Sequence, residues 1–475
     1  MLALHKKIYF IALGFCLFLS ACTANRVELG SNEHFKILEE EKKQATVTVE
    51  ENIFDLSLEK ALDLAITNNL DARVSALEVL SKDDDIDLAR LQAFPKMEAN
   101  YTQYGRSNEG ASSSRSVITG SQSLEPSFST DRYRRTLELS TSWNALDLMM
   151  AVAQSRSAKD EAQIARLRHE KVLQNIERDV SNAYWRVYFA QKTLDQNKKL
   201  ISEAEQYLSN LDKAEKNKLI AGAQSAEYKT KVYNQLQALK SRSNELSYAE
   251  IELKSLLSLP QGSQLNLTTK PKIRLDDVKY YLETDIKKLE NSALDNRPEI
   301  RETILQSNID AQNTRNEILK TLPGAQIFFA YNKDSNEFLQ DKDWMSFSAS
   351  LVQSLTSLFT APIRYRAAKN KEELSDAQRL SLIAAVMAQV HLSRQRLFEA
   401  FDEYKSAEAM AGSSQKQAQA ARIKKAQGLS GNNNTLPIML EAQNQIMQSY
   451  GAQINLQDSY SSLLNTLGKL QRDTS

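Results

Sequence analysis

Apolar residues recur at every third or fourth position along two very long segments of the chain. The first, Asp147–Leu219, contains almost no glycine or proline, and the second runs from Ala361 to Gln427 with Pro362 in its expected first turn. This spacing places the apolar side chains on one face of an α-helix. We therefore predict two helices of about 70 residues, each about 105 Å long at about 1.5 Å per residue.

A glycine-containing turn and a shorter helical segment follow each long helix. Gly222 lies in the first turn, and Gly428 and Gly431 lie in the second. The pattern resumes over Ser225–Leu257 and over Leu436–Leu467, which predicts two return helices. Each long helix and its return helix should form an antiparallel hairpin with the glycine turn at its tip.

Two pairs of segments alternate between apolar and polar residues instead. The first pair is Met97–Tyr104 and Tyr133–Trp143, joined by the loop Gly105–Asp131, and the second pair is Ala325–Tyr331 and Trp344–Leu355. Alternation over about ten residues is the weak signature of a membrane β-hairpin, although each hairpin taken alone could lie half-buried in a soluble sheet. The two tryptophans at the hairpin ends are candidates for an interfacial aromatic girdle, with ordinary sheet packing as the alternative.

All these elements occur twice in the same order, which indicates an internal repeat. Asn68 corresponds to Asn296, and Pro95 corresponds to Pro323 at the same separation. We predict the first repeat over residues 54–270 and the second over 271–475. Each begins with a short helix, a break and a second helix, predicted at Ser57–Thr67 and Leu70–Ala93 in the first and at Asp285–Leu294 and Pro298–Thr321 in the second.

The N-terminus has the features of an export signal. Lys6 and Lys7 precede the apolar stretch from Ile8 to Leu19. A stretch of about a dozen residues is too short to span a bilayer, whose core needs about 20. Residues 1–21 are therefore predicted to be a signal peptide that is removed.

Small residues before Cys22 resemble the lipobox of bacterial lipoproteins, which predicts that the Cys22 thiol is lipidated. An ordinary signal peptide with a chance cysteine is the alternative. Thr23 favours the outer membrane, because an aspartate there would resemble an inner-membrane retention signal. Residues 22–53 would then form an N-terminal tether.

The charge balance and the motifs argue against two function classes. The chain has 60 basic and 60 acidic residues, so no strong basic field supports nucleic-acid binding. No P-loop, serine-centred elbow or dinucleotide turn occurs, and no histidine has a partner at metal-ligand spacing. We therefore predict neither an enzyme nor a resident metal or cofactor.

Four strands per chain do not suffice to close a membrane barrel, because closed barrels start near eight strands. An open sheet edge in lipid leaves backbone groups unpaired, at a cost of several kcal/mol each. Three chains would give twelve strands, whereas two would give an eight-stranded barrel filled by side chains. The predicted fold class is mainly α with a transmembrane β part: long antiparallel helices form an α-barrel, and each chain adds four strands to a trimeric 12-stranded β-barrel.

Several of these features together resemble the TolC-like outer-membrane efflux factor family. They are the opening Leu58-Glu59-Lys60-Ala61-Leu62 with Asn68-Asn69-Leu70-Asp71, its echo Asn296-Arg297-Pro298-Glu299, the paired hairpins and the long helices with glycine turns. The resemblance covers the chain from about Phe54 to Gly468 as an ensemble of individually unspecific motifs.

The resemblance implies an outer-membrane channel subunit of a tripartite efflux or type I secretion system. Such a homotrimer is a passive duct for small molecules or polypeptides, anchored by lipid in the outer membrane and extending into the periplasm. Its implied partners are a periplasmic adaptor (membrane fusion) protein, an inner-membrane pump of the proton-driven or ABC type, and outer-membrane lipid. The alternative is a periplasmic coiled-coil lipoprotein scaffold without a pore.

The resemblance also implies a periplasmic gate near the tips. Glu227 and Tyr228 stand where members often have Thr-Asp, and Lys425 stands where a gating tyrosine is common. Glu441 matches one position of an acidic ring, with charge pairing along its helix as the alternative, and Ile438 replaces the other acidic residue. The second tip looks longer than usual, so the two halves are expected to differ: a longer exterior loop in the first and a longer tip in the second.

Overall fold

The structure, a computed structural model, describes residues 32–45, 53–123, 125–268, 273–429 and 431–469. The predicted signal peptide, Cys22 and most of the predicted tether lie outside the described residues. In the first half of the described chain, the elements are α1 (Asn32–Gln44), β1 (Ile53–Leu56), α2 (Leu58–Asn68), α3 (Leu70–Leu91), β2 (Lys96–Gly105), β3 (Ala111–Ser112), β4 (Ser127–Phe128), β5 (Tyr133–Asn144), α4 (Ala145–Lys216) and α5 (Gly222–Leu256).

The second half repeats this order with small changes. Its elements are β6 (Gln264–Leu267), α6 (Leu275–Glu283), α7 (Ile286–Asn296), α8 (Pro298–Leu319), β7 (Gly324–Asp334), β8 (Asp343–Val352), α9 (Leu355–Ala426) and α10 (Asn432–Thr466). The long helices α4 and α9 have 72 residues each, and the return helices α5 and α10 have 35 each. No described helix is both long enough and apolar enough to cross a membrane.

In both halves, two shorter helices pack along one long helix. Helix α4 packs against α3 toward the sheet and against α5 toward the tip, and α9 packs in the same way against α8 and α10. Because α3 and α5 together hold 57 residues, they match most of the roughly 108 Å length of α4. The α4–α8 contact joins the two halves side by side.

Two helices begin at least four residues earlier than the sequence predicts. Helix α9 begins at Leu355, where the Ser354 side chain accepts a hydrogen bond from the Ser357 amide at 3.3 Å, so Pro362 lies in the third turn and not in the first. Helix α10 begins at Asn432 and also contains a proline, Pro437. Both prolines lie beyond the first four helical residues, so each removes one helical hydrogen bond and lies inside its helix without marking the helix start.

The four long strands form one antiparallel sheet in the order β2-β5-β7-β8. All four strands join helices at the same end of the sheet, and the loops that connect β2 to β5 and β7 to β8 lie at the other end. The β2–β5 loop spans residues 106–132 and contains the short β3–β4 pair, whereas the β7–β8 loop spans only residues 335–342. The expected difference in loop length is therefore present.

Two corresponding apolar cores lie where each short helix meets the long helices. The first includes Ala61, Val180 and Leu253 from α2, α4 and α5, and the second includes Ala293, Val390 and Leu463 from α7, α9 and α10. Burial of these side chains fixes the helix break against the middle of the long helix. The parallel pair β1–β6 covers the first core and was not predicted, and neither were α1 and α6.

Candidate functional sites: the helical tips and the sheet

The two helical tips have the same backbone conformation and the same length. Lys218 and Gly428 both have positive φ, +57° and +73°, directly after the ends of α4 and α9. Beyond them, the Leu219 amide donates to the Ala214 carbonyl at 2.8 Å, and the Leu429 amide donates to the Lys424 carbonyl in the same pattern at 2.9 Å. This pattern closes a helix by satisfying its last carbonyls.

This equivalence corrects two sequence predictions. The residue that corresponds to Gly428 is Lys218 and not Gly222, which instead begins α5. Gly431 corresponds to Ala221, since each precedes the first residue of a return helix in extended backbone. Five residues separate the helices at both tips, so the expected longer second tip is wrong. Glycine marks the turn in the sequence, but a lysine takes the left-handed position in the first tip.

The predicted gate residues Glu227 and Tyr228 lie in the second turn of α5. Glu227 is exposed and pairs with Lys231 one turn along the same helix at 2.6 Å. That hydrogen bond lowers the pKa of Glu227 and raises the pKa of Lys231. Tyr228 is half-buried against the core between α4, α5 and α10, and its hydroxyl accepts a hydrogen bond from Gln224 at 3.4 Å.

The other two predicted gate residues lie on the second hairpin. Lys425 is exposed in the last turn of α9. Glu441 is half-buried on α10 and accepts a hydrogen bond from Gln445, one turn further along, at 2.9 Å. Glu227, Tyr228 and Glu441 thus each bond to a neighbour on their own helix, and these bonds do not join the three residues into one cluster.

An ionic cluster at the first tip was not predicted. The Lys229 ammonium lies 2.7 Å from Asp212 and 2.6 Å from Glu215, so it ties the start of α5 to the end of α4. The Ser225 hydroxyl donates to the same Glu215 oxygen at 2.8 Å. Hydrogen bonds from Lys229 lower the pKa of Asp212 and of Glu215. The same hydrogen bonds raise the pKa of Lys229.

The second tip replaces every charge of this cluster. At the positions of Asp212, Glu215 and Lys229 it has Arg422, Lys425 and Met439. The two hairpins therefore share one backbone, but basic residues replace both acidic residues of the cluster in the second hairpin. Superposing the sequences on the left-handed residue of each tip would have revealed this reversal.

A core of apolar residues joins the tips of the two halves. It combines residues of α4, α5 and α10, among them Leu200, Leu239 and Leu440, all buried. Polar contacts accompany this core: Gln443 donates to Asn197 at 2.7 Å, and Arg242 donates to the Asn444 carbonyl at 2.6 Å. The first hairpin is thereby packed against α10 of the second.

The sheet has one apolar and one mainly polar face, as the alternation predicts. Directly paired residues share a face, so the apolar face carries the rows Met97–Thr141–Phe329–Phe347 and Ala99–Leu139–Tyr331–Met345. The opposite face carries Lys96–Ser142–Phe328–Ser348 and Glu98–Ser140–Ala330–Ser346. Most side chains of the edge strands β2 and β8 are exposed.

The two tryptophans of the hairpins differ in their positions. Trp143 lies on the apolar face, paired with Ile327, and its indole nitrogen donates to the Ala93 carbonyl at 3.1 Å. Trp344 pairs with Asn332 and shares the polar face. Only Trp143 therefore has the orientation that an aromatic girdle on the apolar face requires.

Comparison with solved structures identifies the fold. The outer-membrane channel CmeC of Campylobacter jejuni matches 90% of this chain and 91% of its own, with a TM-score of 0.67 and 12% identity. The outer-membrane channel MtrE of Neisseria gonorrhoeae, solved in its open state, matches 91% of this chain and 96% of its own, with a TM-score of 0.65 and 15% identity. CusC, described with its transmembrane channel formation, matches 87% and 92%, with a TM-score of 0.63 and 16% identity.

The sequence alone finds no such relatives: no family model matches the chain, and no curated protein matches it. The similarity is therefore one of three-dimensional structure, and in these three comparisons it covers 87–91% of the chain. These comparisons confirm the resemblance, because the chain has the TolC-like fold of outer-membrane efflux channels.

Proposed function

We propose that this chain is the outer-membrane channel subunit of a tripartite efflux or type I secretion system. It acts as a homotrimeric passive duct, with the two repeats 54–270 and 271–475 in each subunit. The sheet lies in the outer membrane, and the helices extend into the periplasm. An inner-membrane pump, proton-driven or ABC type, supplies the energy through a periplasmic adaptor.

The observation that carries this proposal is the two-faced sheet with its two outer strands. Among the strands that the structure describes, β2 pairs only with β5 and β8 pairs only with β7. An apolar face suits lipid and a polar face suits a water-filled lumen, but the outer edges need partners in a membrane. Twelve strands from three copies provide these partners and leave a lumen wider than that of an eight-stranded barrel.

A pore-less coiled-coil scaffold is the rival proposal. Such a scaffold would use the long helices but would have no need for an amphipathic four-stranded sheet at one end. The helical tips favour the duct as well. A duct needs a specialised structure at each end, and the sheet and the tips lie at opposite ends of the long helices. Cargo class is left open between small molecules and polypeptides.

Purification in detergent followed by mass measurement and planar-bilayer recording tests the proposal. We expect a trimer with a conductance that changes when Glu227, Lys425 and Glu441 are neutralised, because these candidate gate residues lie near the tips. A matched control is neutralisation of Lys198 and Lys199, exposed on α4 away from the tip. A monomer that conducts no current, with or without these changes, would exclude the duct.

Lipid anchoring at Cys22 forms a separate part of the proposal. Mass spectrometry of the mature N-terminus should show a cysteine that carries a diacylglyceryl group. The Cys22→Ser variant should lose this mass while keeping the trimer, because closure of the sheet does not involve the N-terminus. An unmodified cysteine in the wild-type protein would contradict this part alone.

A further inference from the structure

We propose that the apolar face of the sheet ends in a binding site for the phosphate-bearing headgroup of a membrane amphiphile, held by Arg135 and Lys333. The inference rests on the proposed insertion of the sheet into the membrane. It adds a lipid-recognition site at the end of the sheet that is remote from the helices.

The strand register places the two cations together. Lys333 stands opposite Leu137 in the β5–β7 pair, and Arg135 lies two residues before Leu137 in β5, on the same face. The Arg135 amide donates to the Ser335 hydroxyl at 2.9 Å, and the Ser335 amide donates to the Arg135 carbonyl at 2.9 Å. Diagonal neighbours in a sheet are about 7–8 Å apart, so these long side chains can reach one phosphate group.

Neither cation has an ion-pair partner among the described residues. Both side chains are exposed, and no described ion pair involves them. Asp343 stands opposite Lys333 in the β7–β8 register, but no ion pair joins the two in the described part of the chain. The Asp343 carboxylate lowers the local positive charge, but it leaves the Arg135 guanidinium available to bind an anion.

Arg134, next to Arg135 in the strand, differs from it in having partners within the protein. Arg134 points to the polar face, where it lies 3.6 Å from Asp334 and 4.7 Å from the centre of the Tyr104 ring. The two consecutive arginines thus lie on opposite faces of the sheet. Arg134 contacts other residues of the protein, and Arg135 extends outward from the apolar face. A cation at the edge of an apolar band favours an anion from outside the chain.

Several observations favour a lipid headgroup over a dissolved anion. The site continues directly from the apolar rows that end at Leu137, so acyl chains could lie along the face while the phosphate meets the cations. Tyr101 and Tyr133 flank it, both mostly exposed, as expected at headgroup depth. Because β5 and β7 are the inner strands, closure of a ring through β2 and β8 would leave the site open to lipid.

The test compares lipids on the full-length protein in neutral detergent. Native mass spectrometry measures how much phosphatidic acid and how much phosphatidylcholine each subunit retains. We expect preferential retention of phosphatidic acid and a loss of about tenfold or more in its affinity for the R135Q/K333Q variant. The Arg135→Lys variant should keep most of the binding, and the K198Q/K199Q control should bind like the wild type.

Three results would overturn the inference. They are equal retention by wild type and R135Q/K333Q, absence of any preference for phosphatidic acid, and complete displacement of it by inorganic phosphate, which would indicate a small-anion site. The conductance of R135Q/K333Q separates this inference from the proposed function. A conducting trimer without lipid preference refutes only the lipid site, whereas a wild-type protein that does not conduct refutes the duct itself.

Discussion

Gly468 lies directly against the backbone of Asn296, so that a Cβ added to the glycine would be 2.6 Å from the asparagine carbonyl carbon. The contact joins the end of α10 to the break between α7 and α8. In the first half, Ser258 takes this position with a φ of +54°, and its hydroxyl donates to the Asn68 carbonyl at 3.0 Å. Both halves thus attach the end of the return helix to the helix break.

The Gly468→Ala substitution should destabilise the protein by about 2 kcal/mol or more. The left-handed backbone (φ +71°) costs a residue with a Cβ about 1–2 kcal/mol, and the contact with Asn296 adds to this cost. The measurement is the urea midpoint of unfolding followed by circular dichroism. Gly412→Ala is the matched control: Gly412 is inside α9 with nothing near its added Cβ, so stability should rise by about 0.5–1 kcal/mol. Equal effects at both sites would contradict this account.

Asn69→Ala should cost about 1–2 kcal/mol of unfolding free energy. The Asn69 side chain caps α3 by accepting hydrogen bonds from the Asp71 and Ala72 amides at 2.9 and 3.2 Å, and it donates to the Leu256 carbonyl at 3.2 Å. The neighbouring Asn68→Ala should cost less than about 0.5 kcal/mol, because no hydrogen bond of the Asn68 side chain is described. Denaturant unfolding of both variants checks the difference, and Asn69→Asp, which keeps the cap, should fall between them.

The first tip should open in acid, whereas the second should not. The pKa values of Asp212 and Glu215 are depressed in the folded protein, so their contribution is present above their unfolded values and is lost as pH falls through the folded values. The pKa of Lys229 is raised, so its contribution is present below its unfolded value and is lost only as pH rises through the folded one. The ionic cluster is therefore intact between roughly pH 5 and pH 10.

Hydrogen-exchange protection at the two tips, corrected for the intrinsic pH dependence of exchange, measures this difference. Between about pH 7 and about pH 3, protection at residues 217–222 should fall more than protection at residues 427–429. The Lys229→Met variant, which copies Met439, should lower protection at the first tip already at neutral pH. Identical pH profiles for both tips in the wild type would argue against an ionic attachment.

Glu299→Gln should destabilise the protein more than Lys171→Met. Lys171 of α4 lies 3.1 Å from Glu299 of α8 and joins the two halves, and burial lowers the pKa of Lys171 although Glu299 opposes the shift. Removing Glu299 leaves both Lys171 and the buried Arg297 without their carboxylate, at about 2–3 kcal/mol. Removing Lys171 leaves Glu299 paired with Arg297 and should cost about 1 kcal/mol. Urea unfolding of both variants checks the order, and a reversed order would refute it.

Periodicity was sufficient for the large elements. The apolar spacing predicts the packing face of the long helices, and the alternation predicts the apolar face of the hairpins. The structure places Met97 and Phe347 together on that apolar face. The pair β1–β6 was not predictable in this way, because strands of four residues show little period and meet only after more than two hundred residues of intervening chain.

The ionic cluster at the first tip was missed for a different reason. Glycine is the residue that most often takes a left-handed turn position, but Lys218 occupies this position in the first tip. Aligning the tips on Gly222 and Gly428 therefore does not align Asp212 and Lys229 with Arg422 and Met439. A residue other than glycine can adopt the left-handed conformation at some energetic cost, and a single sequence does not reveal where this happens.

The unequal loops of the sheet show where the two halves are free to differ in length. One inserted residue in α4 or α9 would rotate every later side chain by about 100° around the helix axis and would misalign the whole packed face. An insertion in the β2–β5 loop would not shift the residues that follow it, because the pairing register of β2 and β5 holds them in place. The segment 106–132 is consequently the natural place to display a foreign peptide on this protein.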